Sequence, residues 1–446
     1  MITTNRRCVL VNRQPQQMEL FPASQIAERL GRNDRLMEMI LERNNIIRAW
    51  KQVCANKGAP GVDGMKTSQL GNYLAKYWPE IEQDLLNCRH KPLPVKRKEI
   101  PKLDGGVRLL GIPTVLDRFI QQAISQILEQ IWEPFFSECS YGFRPGRSAH
   151  GAVVQGKRYM VEGYTYVVDM DLSKFFDRVS HDRLMSRLAD RIKDKRVLKV
   201  IRQYLRSGVM ISGVTVTTEE GTPQGGPLFP LLSNIVLDEL DKELEKRGHG
   251  YVRYADDFMI FCKSQKAAER VMQSITRFLT VKLKLKVNQD KSAVSRPWLR
   301  KFLGFTYFQM CGQSKIRIHA KSMKRFKDKV RELTRRKRGK SLWQVIHDLN
   351  QYFRGWWNYF RLTGAKSFLK GIKIWIMRRL RSLVWKQWKN PRTRVRNLEK
   401  LGIAHHDAML CGNARKKYWH MSKIKWVAIA MPERYFIDKG LYLPGN

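Results

Sequence analysis

Apolar positions recur at two different spacings along this chain, and the spacing changes near residue 315. Between about 95 and 310, short apolar runs alternate with longer segments of helical spacing. The short runs are rich in β-branched and aromatic residues, which favours strands. They predict strands at Tyr164–Asp171, Tyr251–Tyr254 and Phe258–Cys262, and the longer segments predict helices at Asp117–Trp132 and Pro230–Lys246. This mixture predicts an α+β domain.

Helical spacing dominates on either side of that domain. A helix is predicted over residues 34–56, with one apolar side made of Leu36, Ile40, Ile46, Ile47 and Trp50. After residue 315 three further amphipathic helices are predicted, separated by the basic run 335–340 and by Thr363-Gly364. Their apolar sets are Met323, Phe326, Val330 and Leu333, then Leu342, Ile346, Leu349, Phe353 and Trp356, and finally Phe368, Ile372, Trp375 and Leu380.

Charge narrows the range of partners. The 446 residues include 84 Lys and Arg against 40 Asp and Glu, a formal net charge of +44. Residues 315–400 alone hold 27 basic and 4 acidic residues, with Trp and Tyr interleaved. So large an excess indicates a polyanionic partner, and nucleic acid fits because basic side chains displace counterions from phosphates.

The sequence also argues against a membrane protein and against a zinc-binding protein. No apolar run approaches the roughly 18 residues of a membrane span, so we expect no membrane association and a cytoplasmic location. The seven cysteines are scattered without a C-x-x-C pair, and His405-His406 has no second ligand pair nearby. A zinc site is therefore not expected.

Acidic residues provide the candidate chemistry. Tyr254-Ala255-Asp256-Asp257 lies between two β-rich stretches and predicts a hairpin with adjacent acids at its tip. An isolated pair of this kind is usually an ordinary acidic turn. A second strand, however, ends in Asp169 and Asp171, which alternate onto one face, so periodicity alone leaves both open as metal ligands. Carboxylates from separate strands are what two-metal phosphoryl transfer requires.

Seven sequence motifs, taken together in their order and spacing, are more specific than the acidic residues alone. Asp171-Leu-Ser-Lys-Phe-Phe-Asp177, Gly221-Thr-Pro-Gln-Gly-Gly-Pro227 and Tyr254–Asp257 resemble the motifs of reverse transcriptases. Four more resemble the reverse transcriptase/maturases of bacterial group II introns: Ile100–Thr114, Tyr141-Gly-Phe-Arg-Pro-Gly-Arg147, Lys301-Phe-Leu-Gly-Phe305 and Gly355-Trp-Trp-Asn-Tyr-Phe360. The resemblance covers roughly residues 45–400.

The resemblance implies a role for each matched residue. Asp171, Asp256 and Asp257 would be catalytic and would bind two Mg²⁺ ions, with Mn²⁺ as a possible substitute; Asp169 is left out of this set. Phe176 would be the steric gate against ribonucleotides. The other matched residues would hold nucleotide (Lys102, Arg108, Gln224) or position the primer end (Leu303, Gly304). Phe229 departs from the family, which usually has a small serine in this segment, so we expect altered packing behind the pocket.

The implied architecture is a right-hand polymerase with four parts. These are an N-terminal helical extension (1–60), fingers and palm (61–312), a helical thumb or maturase domain (313–385) and a small basic C-terminal domain (386–446). The family's His- and Cys-containing endonuclease cluster is not present in the sequence, so an endonuclease-lacking type is expected. The expected partners are a group II intron RNA, an RNA template with a DNA primer, target DNA and dNTPs.

The predicted function is RNA-directed DNA synthesis combined with assistance to intron splicing and mobility, in the bacterial cytoplasm and at the nucleoid during DNA targeting. Three alternatives stay open. An RNA-dependent RNA polymerase is disfavoured by the bulky Phe176. An RNA-binding splicing factor without polymerase activity is disfavoured by the presence of all three acids. A free-standing reverse transcriptase recruited to host repair or defence would share the same motifs.

Overall fold

The computed structural model describes residues 33–101, 106–211, 214–216, 221, 225–310, 312–364 and 366–444. Lys102 and Gln224, both predicted to hold nucleotide, lie outside these ranges, and only the backbone of Arg108 is described. The chain divides into two compact units. The first comprises Met1–Ser137 and Lys174–Glu239, and the second comprises Glu138–Ser173 and Leu240–Asn446.

The α-helices of the described chain, in order, are α1 (Leu36–Leu41), α2 (Arg43–Ala55), α3 (Leu70–Leu86), α4 (Val115–Trp132), α5 (Ala149–Val161), α6 (His181–Ala189), α7 (Lys195–Arg206), α8 (Phe229–Lys246), α9 (Gln265–Arg277), α10 (Ala320–Leu333), α11 (Leu342–Phe360), α12 (Lys366–Gln387), α13 (Pro391–Lys400), α14 (His405–Gly412), α15 (Tyr418–Met421), α16 (Lys425–Ala430) and α17 (Glu433–Ile437). The strands are β1 (Val95–Pro101), β2 (Val107–Ile112), β3 (Tyr166–Asp171), β4 (Val209–Ile211), β5 (Val214–Val216), β6 (Gly250–Tyr254), β7 (Asp257–Cys262), β8 (Ala293–Ser295), β9 (Phe305–Met310) and β10 (Gln313–Ile318).

In the first unit a sheet of order β2-β1-β4-β5 accompanies the helices α1–α4, α6 and α7. Strands β1 and β2 pair antiparallel, with Pro101 opposite Val107, so that they form the two arms of a hairpin. Helix α4 begins at an N-cap in which the Thr114 hydroxyl accepts a hydrogen bond from the Asp117 amide at 3.0 Å. A buried amide pair joins α2 to α4, because Gln126 Nε2 donates to Asn45 Oδ1 at 2.8 Å.

The prediction of a single helix over residues 34–56 is wrong, because the chain forms two helices there. Glu42 has an extended backbone (φ −52°, ψ 134°), which separates α1 from α2. The break rotates the second segment, so α2 buries Asn45, Ala49 and Val53. Ile47 and Trp50, placed by the periodicity on the apolar side, are each 37% exposed.

The second unit is built on a sheet of order β6-β7-β3-β8 whose named pairs are all antiparallel. Helix α9 packs against β3, β7 and β8, and α5 packs against β6 and against β10 of the separate β9-β10 hairpin. One hydrophobic core continues from this sheet through α10–α12 into the C-terminal helices. Its central side chains include Phe261, Phe305, Phe326 and Trp385, all almost completely buried.

The three helices predicted after residue 315 are confirmed as α10, α11 and α12. Phe326, Val330 and Leu333 are buried on α10, as the 3–4-residue spacing requires. Helix α11 begins with a capping box, in which Ser341 and Gln344 satisfy each other's backbone amides. The basic segment 335–340 and Thr363-Gly364 lie between the helices, where the sequence predicted the interruptions.

Candidate active site

Two predicted metal ligands face each other at the ends of neighbouring strands. Asp171 is the last residue of β3 and Asp257 the first of β7, and the antiparallel register pairs them directly. Directly opposed residues have Cβ atoms roughly 4.5–5.5 Å apart and point to the same side of the sheet. A cation with oxygen ligands at roughly 2.0–2.6 Å fits between two such carboxylates.

The third predicted ligand, Asp256, lies in the tight turn that joins β6 to β7. Tyr254 pairs with Asp257, so Ala255 and Asp256 are the two turn residues. Ala255 has a φ of +56°, in the left-handed region that non-glycine residues seldom adopt. Such a conformation costs on the order of 1–3 kcal/mol and persists only where the surrounding structure enforces it.

Asp171 is held by a segment that the sequence reasoning did not single out. Asn288 Nδ2 donates to Asp171 Oδ2 at 3.0 Å, and the Asn288 amide donates to the Asp171 carbonyl at 2.8 Å. On the other side, the Asp171 amide donates to the Ser292 hydroxyl at 3.0 Å. The first of these bonds orients one carboxylate oxygen of Asp171, and the other two fix its backbone. Neither Asn288 nor Ser292 carries a sequence signal that separates it from an ordinary loop residue.

The structure places Asp169, which periodicity left open, in an ion pair. Arg300 donates to Asp169 Oδ2 from Nε at 2.6 Å, and its Nη2 lies 2.6 Å from the same oxygen. The Arg300 side chain is 25% exposed and the Asp169 side chain is 14% exposed, so both are largely buried. Asp169 is therefore engaged by a guanidinium one pleat repeat away from Asp171, and its omission from the ligand set stays a prediction.

Burial and neighbouring charges raise the pKa of two of these carboxyl groups, Asp257 and Asp169. Burial, followed by the charges of Asp169 and Asp256, raises the pKa of Asp257 to about 7. The pKa of Asp169 is also raised, chiefly by burial, although Arg300 opposes the shift. Negative charge is thus concentrated beyond what the neighbouring cations balance, and a bound divalent cation would relieve it.

The ligand atoms of these residues suit Mg²⁺, although their side chains are not arranged around an ion. Carboxylate oxygens are the ligands that this hard cation prefers. Within the described ranges, however, no group of three or more His, Cys, Asp or Glu side chains is arranged closely enough to enclose a metal ion. The turn and the strand ends therefore supply candidate ligands.

Of the predicted nucleotide-pocket residues, Arg108 and Phe176 belong to the first unit. Phe176 belongs to a short 3₁₀ turn, Phe175–Asp177, and packs edge-on against the buried ring of Phe175, with 5.1 Å between ring centroids. In the glycine-rich motif, a methyl group on Gly225 would lie 2.0 Å from the Gly111 carbonyl oxygen, and one on Gly226 would lie 2.0 Å from Gln121 Oε1. Close backbone contact explains the glycine at 225, whereas Gly226 lies against two side chains, the amide of Gln121 and the ring of Phe229.

Phe229, the departure from the family, is buried at the start of α8. Its ring lies 2.8 Å from the position of a Cβ on Gly226. An aromatic ring therefore lies against a glycine of the motif, and the expected alteration of packing relative to the family stays a prediction.

The predicted primer-positioning residues, Leu303 and Gly304, form a strained turn before β9. Their φ angles are +50° and +87°. The Tyr359 hydroxyl donates to the Leu303 carbonyl at 2.8 Å, and the Ser322 hydroxyl donates to the Gly304 carbonyl at 2.9 Å. Hydroxyl groups from α10 and α11 therefore hold this turn.

Helices α10–α12 and the residues after them present a basic surface with aromatic rings. The guanidinium groups of Arg331 and Arg379 each lie 5.6 Å from the ring centre of Trp375. That of Arg378 lies 4.3 Å from the Trp419 ring. Stacked cations of this kind can engage phosphates or bases.

None of the helices in the described part of the chain has the length and apolarity needed to span a bilayer.

Comparison with known proteins identifies the class. Residues 100–307 match the family described as reverse transcriptase (RNA-dependent DNA polymerase). The paired carboxylates of β3 and β7 fall within this range, and the chain is a reverse transcriptase by family. Residues 323–402, which cover most of α10 and all of α11–α13, match the group II intron, maturase-specific domain. The chain belongs to the group II intron reverse transcriptase/maturase family.

Two relatives and one solved structure are similar to parts of this chain. Protein YkfC of Escherichia coli (strain K12) is 34% identical over 303 residues, which cover 59% of this chain and 80% of YkfC. Group II intron-encoded protein LtrA of Lactococcus lactis subsp. cremoris is 29% identical over 361 residues, 64% of this chain and 60% of LtrA. Among solved structures, a partial Cas6-RT-Cas1–Cas2 complex aligns with a TM-score of 0.36 at 25% identity, covering 55% of this chain and 43% of that one.

These matches confirm the predicted family, the α+β fingers-and-palm fold class with its helical C-terminal region, and the enzyme class. The roles of individual residues and the four domain boundaries stay predictions. Sequence reasoning missed Asn288 and Arg300, which contact Asp171 and Asp169 across 117 and 131 positions of the chain.

Proposed function

We propose that this chain extends a DNA primer by copying RNA, at a site formed by Asp171, Asp256 and Asp257. The observation that carries the proposal is the register pairing of Asp171 with Asp257 beside the strained turn that holds Asp256. Two bound Mg²⁺ ions would lower the pKa of the primer 3′-hydroxyl and stabilise charge on the transferred phosphate. The chain's own part is to keep three carboxylates together at one end of the sheet.

The other residues of the site would act on substrate. Phe176 would exclude a ribose 2′-hydroxyl, and Lys102, Arg108 and Gln224 would hold the incoming dNTP. Leu303 and Gly304 would align the primer end, supported by the hydroxyls of Tyr359 and Ser322. Each of these assignments rests on the match of this sequence to family motifs.

Primer extension tests the catalytic half of this proposal. The purified protein is given a DNA primer on an RNA template, with dNTPs or rNTPs, in Mg²⁺ or EDTA. The expected result is extension by dNTPs in Mg²⁺ only. Extension by rNTPs at a comparable rate would instead indicate an RNA polymerase, and no extension under any condition would favour a splicing factor without polymerase activity.

We further propose that the basic surface of α10–α13 binds a group II intron RNA and assists its splicing and mobility, in the bacterial cytoplasm and at the nucleoid. The support is the maturase-specific match over residues 323–402 together with the excess of basic residues there. Binding would rest largely on phosphate contacts and would therefore weaken as salt rises.

Matched charge variants test the RNA partner. Lys324, Lys327 and Lys337 are exposed within the maturase match, whereas Lys266, Arg270 and Arg277 are exposed on α9 outside it. Replacing the first set by Gln should weaken binding to the co-purified RNA and lower the salt slope by up to about 3. Replacing the second set should change little. Equal effects of both sets, or co-purification of unrelated RNAs only, would overturn the maturase half.

A further inference from the structure

An ion pair lies directly behind the candidate metal-binding turn. Asp241 on α8 and Arg253 on β6 are both fully buried, with side-chain exposures of 0%. Arg253 Nε donates to the two carboxylate oxygens of Asp241 at 2.8 and 3.0 Å, and Nη2 donates to Oδ2. A buried pair of this kind adds little to stability compared with apolar residues of the same volume, because both charges lose their hydration. Its presence in the core therefore calls for another role.

Arg253 also donates to the turn itself and to Ser140. Nη1 donates to the Ala255 carbonyl at 3.1 Å, and Nη2 donates to the Ser140 hydroxyl at 2.8 Å. Ala255 is the turn residue with the left-handed backbone, one position before Asp256. The guanidinium thus fixes the strained peptide next to two predicted ligands, and Asp241 fixes the guanidinium.

A second support comes from the motif Tyr141–Arg147, to which the catalytic proposal gives no role. The Arg253 amide donates to the Cys139 carbonyl at 2.9 Å, and the Tyr141 amide donates to the Arg253 carbonyl at 2.8 Å. The chain then brings Gly142 against the turn, where an added Cβ would lie 2.3 Å from the Ala255 nitrogen. No side chain fits there without moving the turn.

We infer that Arg253, Asp241, Ser140 and Gly142 form a cradle that positions the Asp256-Asp257 turn for cation binding. These are positioning residues, since none of them contacts substrate in the proposed reaction. The cradle holds Ala255 from two sides: the guanidinium binds its carbonyl, and the Gly142 backbone lies against its amide. This inference rests on the proposed catalytic site, and it assigns a role to residues 140–142 that the site itself does not supply.

The sharpest test changes a steric contact and leaves every charge in place. Gly142→Ala should displace the turn, whereas Gly371→Ala is its control, because a methyl group at Gly371 on α12 meets no atom within 4 Å. The probe is Mn²⁺ alone, titrated into the metal-free full-length protein and followed by electron paramagnetic resonance. We expect Gly142→Ala to weaken Mn²⁺ binding at least about tenfold and to raise the Mg²⁺ concentration needed for half-maximal extension, the tenfold being about 1.4 kcal/mol.

A second pair of variants covers the possibility that the steric change unfolds the protein. Ser140→Ala removes one acceptor of Arg253 without leaving a charge unpaired, and Arg253→Lys keeps the charge but loses the planar set of donors. Ile275→Ala, on α9 against the same sheet, serves as the control for destabilisation alone. We expect Arg253→Lys to weaken Mn²⁺ binding more than Ser140→Ala does, while Ile275→Ala lowers Tm and leaves Mn²⁺ binding unchanged.

The outcomes separate this inference from the proposed function. If the wild type binds Mn²⁺ and extends primers, while folded Gly142→Ala and Arg253→Lys bind Mn²⁺ as the wild type does, the cradle is refuted and the catalytic site stands. If the wild type neither binds Mn²⁺ nor extends primers, the catalytic proposal itself fails. Restoration of extension in the cradle variants by excess Mn²⁺, but not in Asp257→Asn, would support positioning as the role.

Discussion

Gly304→Ala perturbs the turn that we propose aligns the primer end. The φ of +87° costs an alanine about 1–2 kcal/mol. The new methyl group would lie 3.3 Å from both Ser322 Oγ and Phe360 Cζ, so these neighbours must move by a few tenths of an ångström. Disturbing the 2.9 Å hydrogen bond from Ser322 to the Gly304 carbonyl adds about 1 kcal/mol.

Backbone strain and the disturbed hydrogen bond together destabilise the present conformation of the turn by about 2–3 kcal/mol. The turn can relieve this strain by adopting another conformation. The aligned conformation would then fall in population by roughly 30- to 150-fold. We expect a loss of that order in primer-extension efficiency on a generic RNA template, measured as kcat/KM for primer–template at a temperature where the variant is folded.

Gly402→Ala is the matched control. Gly402 has a φ of +85°, but a methyl group there meets no atom within 4 Å. Both variants should lose stability in thermal denaturation, and only Gly304→Ala should lose extension. If folded Gly304→Ala extends primers as well as Gly402→Ala does, the Leu303–Gly304 turn does not position the primer.

Three further predictions follow from the site. Tyr359→Phe leaves the Leu303 carbonyl without its 2.8 Å donor and should raise KM for primer–template by about fivefold, whereas Tyr352→Phe on the same helix should not. Phe176→Ala should lower dNTP-over-rNTP selectivity by about tenfold or more in single-nucleotide incorporation, and unchanged selectivity would remove Phe176 as the gate. Because the pKa of Asp257 is raised to about 7, its contribution to stability is present at low pH and lost as pH rises towards 7. In EDTA, Asp257→Asn should therefore show a smaller fall in Tm between pH 5 and pH 8 than the wild type, and equal falls would contradict the raised pKa.

The sequence predicted those parts of the fold whose signals are local. Three helices after residue 315 followed from uninterrupted 3.6-residue spacing, and the Tyr254–Asp257 hairpin followed from two β-rich runs around a short polar tip. The break at Glu42 was missed because glutamate is a good helix former and no proline or glycine marks the position. Tertiary packing of α1 and α2 against α4 overrides that preference.

The supporting residues of the site could not be predicted for a different reason. Arg300 reaches Asp169 across 131 positions, Asn288 reaches Asp171 across 117, and Ser140 reaches Arg253 across 113. In the sequence, each is one polar residue among many in a chain with 84 basic residues. Only the fold shows which of these side chains are buried, and burial is what makes their pairing specific.

Single-nucleotide incorporation tests the central claim most directly, namely that carboxylates from β3 and β7 together perform metal-dependent DNA synthesis on RNA. The variants are Asp171→Asn and Asp257→Asn, which keep shape and remove charge, with Asp290→Asn at an exposed position as the control. Loss of a metal ligand should lower the rate by about 10³-fold or more, equivalent to about 4 kcal/mol, in both site variants and not in the control. Incorporation at the wild-type rate by folded Asp171→Asn or Asp257→Asn would contradict the claim.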